Sequence, residues 1–408
     1  MEGQKTSKQW LGELLNRHYA DAMRVKAEGG LVAWSTSIAP QELLETMGIY
    51  TVYPENHAAA VGARKCAPDL IGFAEGKGYS ADICSYARVN LAYMERQSCE
   101  AENMPLPDLI FCCNNICSTV VKWYENISRE LHIPMILFDL PFNHSREISA
   151  QNVKYIKGQI LEAIVRLEEI TGRAFDYDRF REVMRISTET ADWWKKASLL
   201  ARAKPSPLNG FDLFNYMATI VCMRGTREGN ELFKLWHDEL LERKEKGLGP
   251  WKDGEEKYRV MWDGIACWPY LSDTYKILKK NGVNMVTSTY PDSWYIMYEE
   301  DDLDGMARAY SSIYVNRNLE FGVDNIIGIV RDFQLDGIIF HSNRSCKFMD
   351  FRQFEVQRRV EAATGVASVI FDGDQTDPRA FSPAQYETRI QALVEMMENR
   401  KAKGGAEA

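Results

Sequence analysis

Apolar positions recur with a helical period from Ser7 to about Ala27, and Gly29-Gly30 closes that stretch as a C-terminal stop. Short, continuous apolar runs follow: L-V-A-W-S-T-S ending near Ser37, I-Y-T-V-Y ending at Pro54-Glu55, Leu109–Cys113, and Met135–Phe138 with Asp139 at its end. Helical stretches separate them, over 40–47, through Ala58–Val61, over 85–94 and over 118–131. Strands alternating with helices predict a parallel sheet covered on both faces.

From Ile148 to about Gly247 the rhythm is helical throughout, carried by Ile156, Ile160, Ala163, Ile164 and Leu167 and later by stretches around Trp193-Trp194 and Leu232–Leu241. Its Trp and Met residues are expected to pack a core. After Trp251 the first rhythm returns. G-I-A-C-W-P-Y reads as a strand and turn, 272–280 as a helix stopped by Asn281-Gly282, and V-N-M-V-T-S-T-Y as a strand ending at Pro291-Asp292. A strand at Gly337–Phe340, a helix over 347–363 and a strand at Ala367–Phe371 ending at Asp372 complete it. A final helix opens with Ser382 as N-cap and Pro383 at its first position.

Landmarks of the first half recur in order in the second. Tyr53-Pro54-Glu55 is answered by Tyr290-Pro291-Asp292, and I-L-F-D by V-I-F-D. D-L-I-F-C-C-N-N-I-C (Asp108 to Cys117) is answered by D-G-I-I-F-H-S-N-R-S-C (Asp336 to Cys346). The reading is therefore α/β, with two similar parallel-sheet domains of flavodoxin or Rossmann type: 1–147 with a leading helix, a helical insertion over 148–250, and 251–408 with a closing helix. At 408 residues, more than one core is required.

In both copies of the long motif a cysteine, Cys117 or Cys346, sits where a buried strand hands over to a helix. Cys84, in S-A-D-I-C-S-Y-A-R, precedes a third helical stretch. Open parallel sheets bind ligands beyond the carboxyl ends of their strands, and helix starts favour thiolates and anions. The three thiols are thus candidates to hold a soft metal centre in the cleft between domains. Three ligands on a cubane would leave one iron open for chemistry. Cys66, Cys99, Cys112, Cys113, Cys222 and Cys267 are expected to be inert buried residues. His144 and His341 are expected to be structural, and Glu55, Asp139, Asp292 and Asp372 to serve as caps or loop acceptors unless a site recruits them.

Composition narrows the classes. Nine cysteines without a C-x-x-C exclude thioredoxin-like and zinc-ribbon motifs, and a net charge of −9 without basic blocks speaks against nucleic acid. No apolar run is long enough to span a bilayer, and the N-terminus lacks a signal-peptide core, so the expected location is cytoplasmic. Neither G-x-x-x-x-G-K-[ST] nor a strand-borne G-x-G-x-x-G is present, so nucleotide chemistry would belong to another protein.

S-A-D-I-C-S-Y-A-R, C-C-N-N-I-C, K-W-Y-E-N-I-S-R-E-L, H-S-N-R-S-C-K and F-D-G-D-Q-T-D-P-R-A-F together resemble the (R)-2-hydroxyacyl-CoA dehydratase family, relatives of benzoyl-CoA reductase, over nearly the whole chain. The resemblance implies an oxygen-sensitive heterodimer of anaerobic amino-acid fermentation. Its homologous β subunit would carry a second [4Fe-4S] cluster, and a separate ATP-dependent iron–sulfur activator would inject one electron. It implies Cys84, Cys117 and Cys346 as ligands of a [4Fe-4S] cluster with one open iron site, and Ser37 and Glu55 as the α-subunit residues beside the substrate. The implied reaction removes water from a 2-hydroxyacyl-CoA through a ketyl radical, giving the 2-enoyl-CoA. Two alternatives stand beside it: a ring-reducing acyl-CoA reductase subunit of the benzoyl-CoA type, and a non-catalytic electron-relay subunit.

Overall fold

A computed structural model describes residues 5–406. It contains two four-stranded, all-parallel sheets. The first comprises β1 (Val32–Ser35), β2 (Tyr50–Val52), β3 (Leu109–Cys113) and β4 (Met135–Phe138), in the order β2-β1-β3-β4. The second comprises β5 (Tyr258–Asp263), β6 (Val283–Ser288), β7 (Gly337–Asn343) and β8 (Ala367–Gly373), in the order β6-β5-β7-β8. The two orders are the same permutation, as the recurring landmarks predict.

Helices on both faces bury the strands without alternation: every residue of the central strands β1, β3, β5 and β7, and of the edge strand β6, is buried. Strand periodicity still divides them. Ala33, Leu109, Phe111 and Cys113 join one core, whereas Val32, Trp34, Ile110 and Cys112 point to the other. The larger core continues through the helical segment into the second sheet, so the two lobes share an interior.

That segment consists of helices Ala150–Thr171, Tyr177–Leu199, Gly210–Met223 and Arg227–Glu245. Trp194 and Trp236 are core, as expected, while Trp193 is only partly buried: Trp236 stacks on Tyr216 at 4.2 Å and on Trp194 at 5.6 Å between ring centroids. A buried polar knot ties it to both lobes. Glu42 accepts hydrogen bonds from Ser187, Tyr298 (2.7 Å) and Tyr310 (2.7 Å), and the fully buried Arg224 lies 3.6 Å from it.

Two expectations need correction. The strand opening the second sheet is Y-R-V-M-W-D, not G-I-A-C-W-P-Y; the latter forms a turn at Gly264 (φ +100°) and a 3-10 turn at Trp268–Tyr270. Helices Leu303–Ser311 and Leu319–Asp332 lie between β6 and β7, in a stretch for which no element was predicted. Among the described residues no helix is long and apolar enough to cross a membrane.

Candidate active site

In each sheet the strand order reverses between the first and third strands, and ligands of such sheets bind outside the carboxyl ends at that point. Here the two reversal points face one cavity. Ser37 and Ile38 reach it from the end of β1, Cys117 from β3, Gly264 and Ile265 from β5, and Cys346 from β7. Glu55 arrives from β2, Tyr290 from β6, Gln375 from β8, and Cys84 from the turn before helix Ser85–Arg96. All five residues singled out by the sequence therefore line one cavity.

Cys84, Cys117 and Cys346 are the N-cap residues of helices Ser85–Arg96, Ser118–Leu131 and Lys347–Thr364. None makes a full capping hydrogen bond, but backbone N–H groups face each sulfur: those of Tyr86 and Ala87 at Cys84, of Thr119 and Val120 at Cys117, and of Met349 at Cys346. Burial works against these dipoles. It pushes the Cys84 thiol up to about 12, raises Cys117, and raises Cys346 further. The sulfurs lie near enough to repel one another as thiolates. Among the described residues no three His, Cys, Asp or Glu side chains converge tightly enough to hold a single metal ion. Thiolates on one tetrahedral ion would lie about 4 Å apart, given bonds of about 2.3 Å. A cubane places each thiolate on a different iron, and three cysteine-bearing helix starts aimed at a common, largely apolar void fit that larger anionic group.

The loops carrying these thiols are tied across the lobes. Asp374, 1% exposed, accepts from Ser85 Oγ at 2.6 Å, from the Ser345 N–H at 3.2 Å and from Ser345 Oγ; the Thr376 and Asp377 N–H groups also donate to it, each at 2.8 Å. The Ser85 N–H donates to Ser345 Oγ at 3.1 Å. Arg88, one turn into the Cys84 helix, pairs with Glu75 at 2.5 Å and Asp377 at 3.3 Å.

Glu55 stands in the first turn of helix Pro54–Ala63, where Pro54 sets the helix start. Its Oε1 accepts from both the backbone N–H and the hydroxyl of Ser37, each at 3.2 Å, and its Oε2 accepts from Tyr124 at 2.7 Å. Burial raises its pKa, against the pull of these donors. Among the described residues, Glu55 is the only charged one on the cavity wall, and Trp123, Trp294, Phe348, Met349 and Val120 make much of the rest.

The other sequence candidates lie elsewhere. Asp139 accepts from Asn114 and Tyr155, and Asp372 pairs with Arg344 at 3.0 Å. Asp292 lines a separate cavity, its carboxyl pushed up to about 7 by burial. His341 is buried with its Nδ1 2.6 Å from the Ile265 carbonyl, while His144 is exposed. Cys112, Cys113 and Cys267 are buried as expected, but Cys66, Cys99 and Cys222 are partly exposed. Sequence reasoning missed Tyr124, Asp374 and Gln375. The last two lie inside F-D-G-D-Q-T-D, whose acid-rich composition was the available signal.

The family described as "2-hydroxyglutaryl-CoA dehydratase, D-component" matches residues 36–397. The chain is 50% identical to the (R)-2-hydroxyisocaproyl-CoA dehydratase alpha subunit of Clostridioides difficile, covering 98% of both. It is 45% identical to lactoyl-CoA dehydratase subunit alpha of Anaerotignum propionicum, covering 97% of both. Identity to the (R)-phenyllactyl-CoA dehydratase alpha subunit of Clostridium sporogenes is 44%, over 98% of this chain and 97% of the relative.

Proposed function

Because the chain belongs to the 2-hydroxyglutaryl-CoA dehydratase D-component family, we propose that it is the catalytic α subunit of an (R)-2-hydroxyacyl-CoA dehydratase, a hydro-lyase that converts a 2-hydroxyacyl-CoA to the 2-enoyl-CoA. The observation that carries the reading is the single cavity shared by three cysteines, Ser37 and Glu55. Cys84, Cys117 and Cys346 would hold a [4Fe-4S] cluster, whose chemistry when bound is to supply one electron and a Lewis-acidic open iron to the thioester carbonyl.

The chain's own side chains perform the remaining work. Tyr124 fixes one carboxyl oxygen of Glu55, leaving the other directed at Ser37. With its pKa raised by burial, Glu55 can carry a proton to the departing 2-hydroxyl, which leaves as water. The resulting carboxylate is then the base in place to take the β-proton, so its protonation state is restored after each turnover. Ser37 donates to Glu55 at rest and can turn its hydroxyl to a substrate oxygen when Glu55 is protonated. The apolar walls keep water from competing for these protons.

Substrate class follows from the wall. Without a Lys or Arg on it, a 2-hydroxyacyl chain ending in a second carboxylate would be buried unpaired, so an aliphatic or aromatic acyl group is preferred. The relatives' names as α subunits support a partner subunit; a second cluster there and an ATP-dependent activator complete the proposal. The electron-relay alternative is disfavoured because the cysteines share their cavity with Ser37 and Glu55 instead of a closed pocket of their own. The ring-reducing alternative is disfavoured because the relatives named above are dehydratase subunits.

The test is anaerobic purification with the partner subunit and activator, iron analysis, and assay for enoyl-CoA over a panel of 2-hydroxyacyl-CoA thioesters. Cys117→Ala is expected to lose iron and turnover together. Full iron in that variant rejects the ligand assignment, and stoichiometric consumption of reductant rejects the dehydratase reading.

A further inference from the structure

Gln375 reaches the cavity from the loop after β8 and is 1% exposed. Its Nε2 lies 2.9 Å from Cys84 Sγ. The orientation of this amide is fixed by a chain of bonds. The Gln375 backbone N–H donates to Asn343 Oδ1 at 3.3 Å, which leaves Asn343 Nδ2 to donate to Gln375 Oε1 at 2.8 Å. With Oε1 so engaged, only the NH₂ group can face the sulfur. The Gln375 carbonyl in turn accepts from the Trp268 N–H at 3.3 Å, pinning the backbone. Asn343 is the asparagine of the second long motif, three residues before Cys346. The loop of one ligand therefore aims a donor at another ligand contributed by the opposite lobe.

We infer that Gln375 is a positioning residue for the proposed centre: its amide donates to the Cys84 thiolate and makes one-electron reduction easier. The inference rests on the cluster reading above. A donor to a ligating sulfur stabilises the more negative, reduced state more than the oxidised one. One electron enters from a low-potential donor, no bond is made or broken in the protein, and the N–H···S contact shortens as charge accumulates on sulfur. The asymmetry is local: Cys117 faces the backbone N–H groups of Thr119 and Val120 and the Thr119 hydroxyl, and Cys346 the Met349 N–H, whereas Cys84 also receives a side-chain amide.

The experiment compares wild-type, Gln375→Met and Gln375→Glu chains, each complexed with the partner subunit, by iron analysis and by a dithionite titration read by electron paramagnetic resonance. Gln375→Met keeps the size and removes the donor. It is expected to hold full iron and to be about tenfold harder to reduce, a fall of about 59 mV for one electron. Gln375→Glu places an acceptor against the thiolate and is expected to shift at least as far. Potentials within about threefold of wild type at full iron overturn the inference. So does loss of iron from both variants with the fold intact by circular dichroism, since Gln375 would then be a requirement for the cage and not a tuning donor. An iron-free wild-type complex instead rejects the cluster reading itself.

Discussion

Replacing Asp374 with Asn isolates the tie between the cysteine loops. In the native chain one carboxylate oxygen accepts from Ser85 Oγ and the N–H groups of Thr376 and Asp377, and the other accepts the Ser345 N–H and hydroxyl. Asparagine keeps the shape but has one carbonyl oxygen. With that oxygen on the three-donor side, its NH₂ confronts the Ser345 N–H, and two charge-assisted bonds are lost. Hydrogen bonds to charged groups contribute about 1.5–3 kcal/mol each, and the relief of burying one charge fewer offsets part, so about 3 kcal/mol is expected. Unfolding entropy of about 2.1 cal/mol/K per residue gives about 0.9 kcal/mol/K for the chain, so Tm should fall by about 3–4 °C. Differential scanning calorimetry of the iron-free chain measures this, and iron retained after anaerobic reconstitution should fall in parallel. A Tm within 1 °C of wild type, with full iron, would show that Asp374 does not tie the loops.

Glu55→Gln keeps the cavity's shape but cannot shuttle a proton; kcat should fall by about 10²–10⁴ at unchanged iron content, and an unchanged kcat excludes Glu55 as the acid–base group. Gly210→Ala would place a methyl 2.5 Å from both the Met285 carbonyl oxygen and its terminal carbon, whereas the same change at Gly12, in helix Ser7–Ala27, meets nothing within 4 Å. Chemical denaturation should give a loss of about 2 kcal/mol for the first and a gain of up to about 1 kcal/mol for the second. His57 is buried, accepted at 2.9 Å by the Glu102 carbonyl, and burial lowers its pKa to about 4. Unfolded, it would protonate near pH 6.5, so its contribution is present above that pH and is lost as pH falls toward 4. Between pH 7.5 and 5.5 the wild type should therefore lose about 1.3 kcal/mol more than His57→Phe in paired denaturation curves, and parallel curves would contradict the burial of a neutral imidazole.

The first sheet was legible because its strands are short apolar runs with no charge inside, so β3 and β4 match the expected bounds residue for residue. β5 was not, because Arg259 and Asp263 interrupt its pattern. Arg259 is nevertheless 3% exposed, satisfied by the carbonyls of Ala201, Ala203 and Phe333 and by Glu256. Tertiary partners paid for in that way leave no local trace. The missed helices 303–311 and 319–332 did leave one, since Asp302 and Asn318 are N-caps whose side chains accept from Gly305 and Phe321. For the site, cysteines preceding helices are a local signal and were found. Asp374 and Gln375 act on residues 289 and 291 positions away, a relation that no spacing in one sequence encodes.

The duplication explains why the site is one-sided. After β2 the chain enters a ten-residue helix at Pro54, whose first turn holds Glu55 against Ser37 on the cavity wall. After β6 the corresponding Pro291 opens only a 3-10 turn ending at Trp294; Tyr290 stays on the cavity, and Asp292 turns to another. The matched asparagines diverge in the same way. Asn114 spends its amide on Asp139 and the Leu140 N–H, bracing its own sheet, whereas Asn343 spends its amide on Gln375 and so on a thiol of the opposite lobe. One lobe thus supplies the acid, its hydroxyl partner and two sulfurs; the other supplies the third sulfur, the apolar wall at Trp294 and the brace at Asp374. Two identical halves would line the cavity with equivalent faces, and only their divergence leaves the Glu55–Ser37 pair on a single face of it.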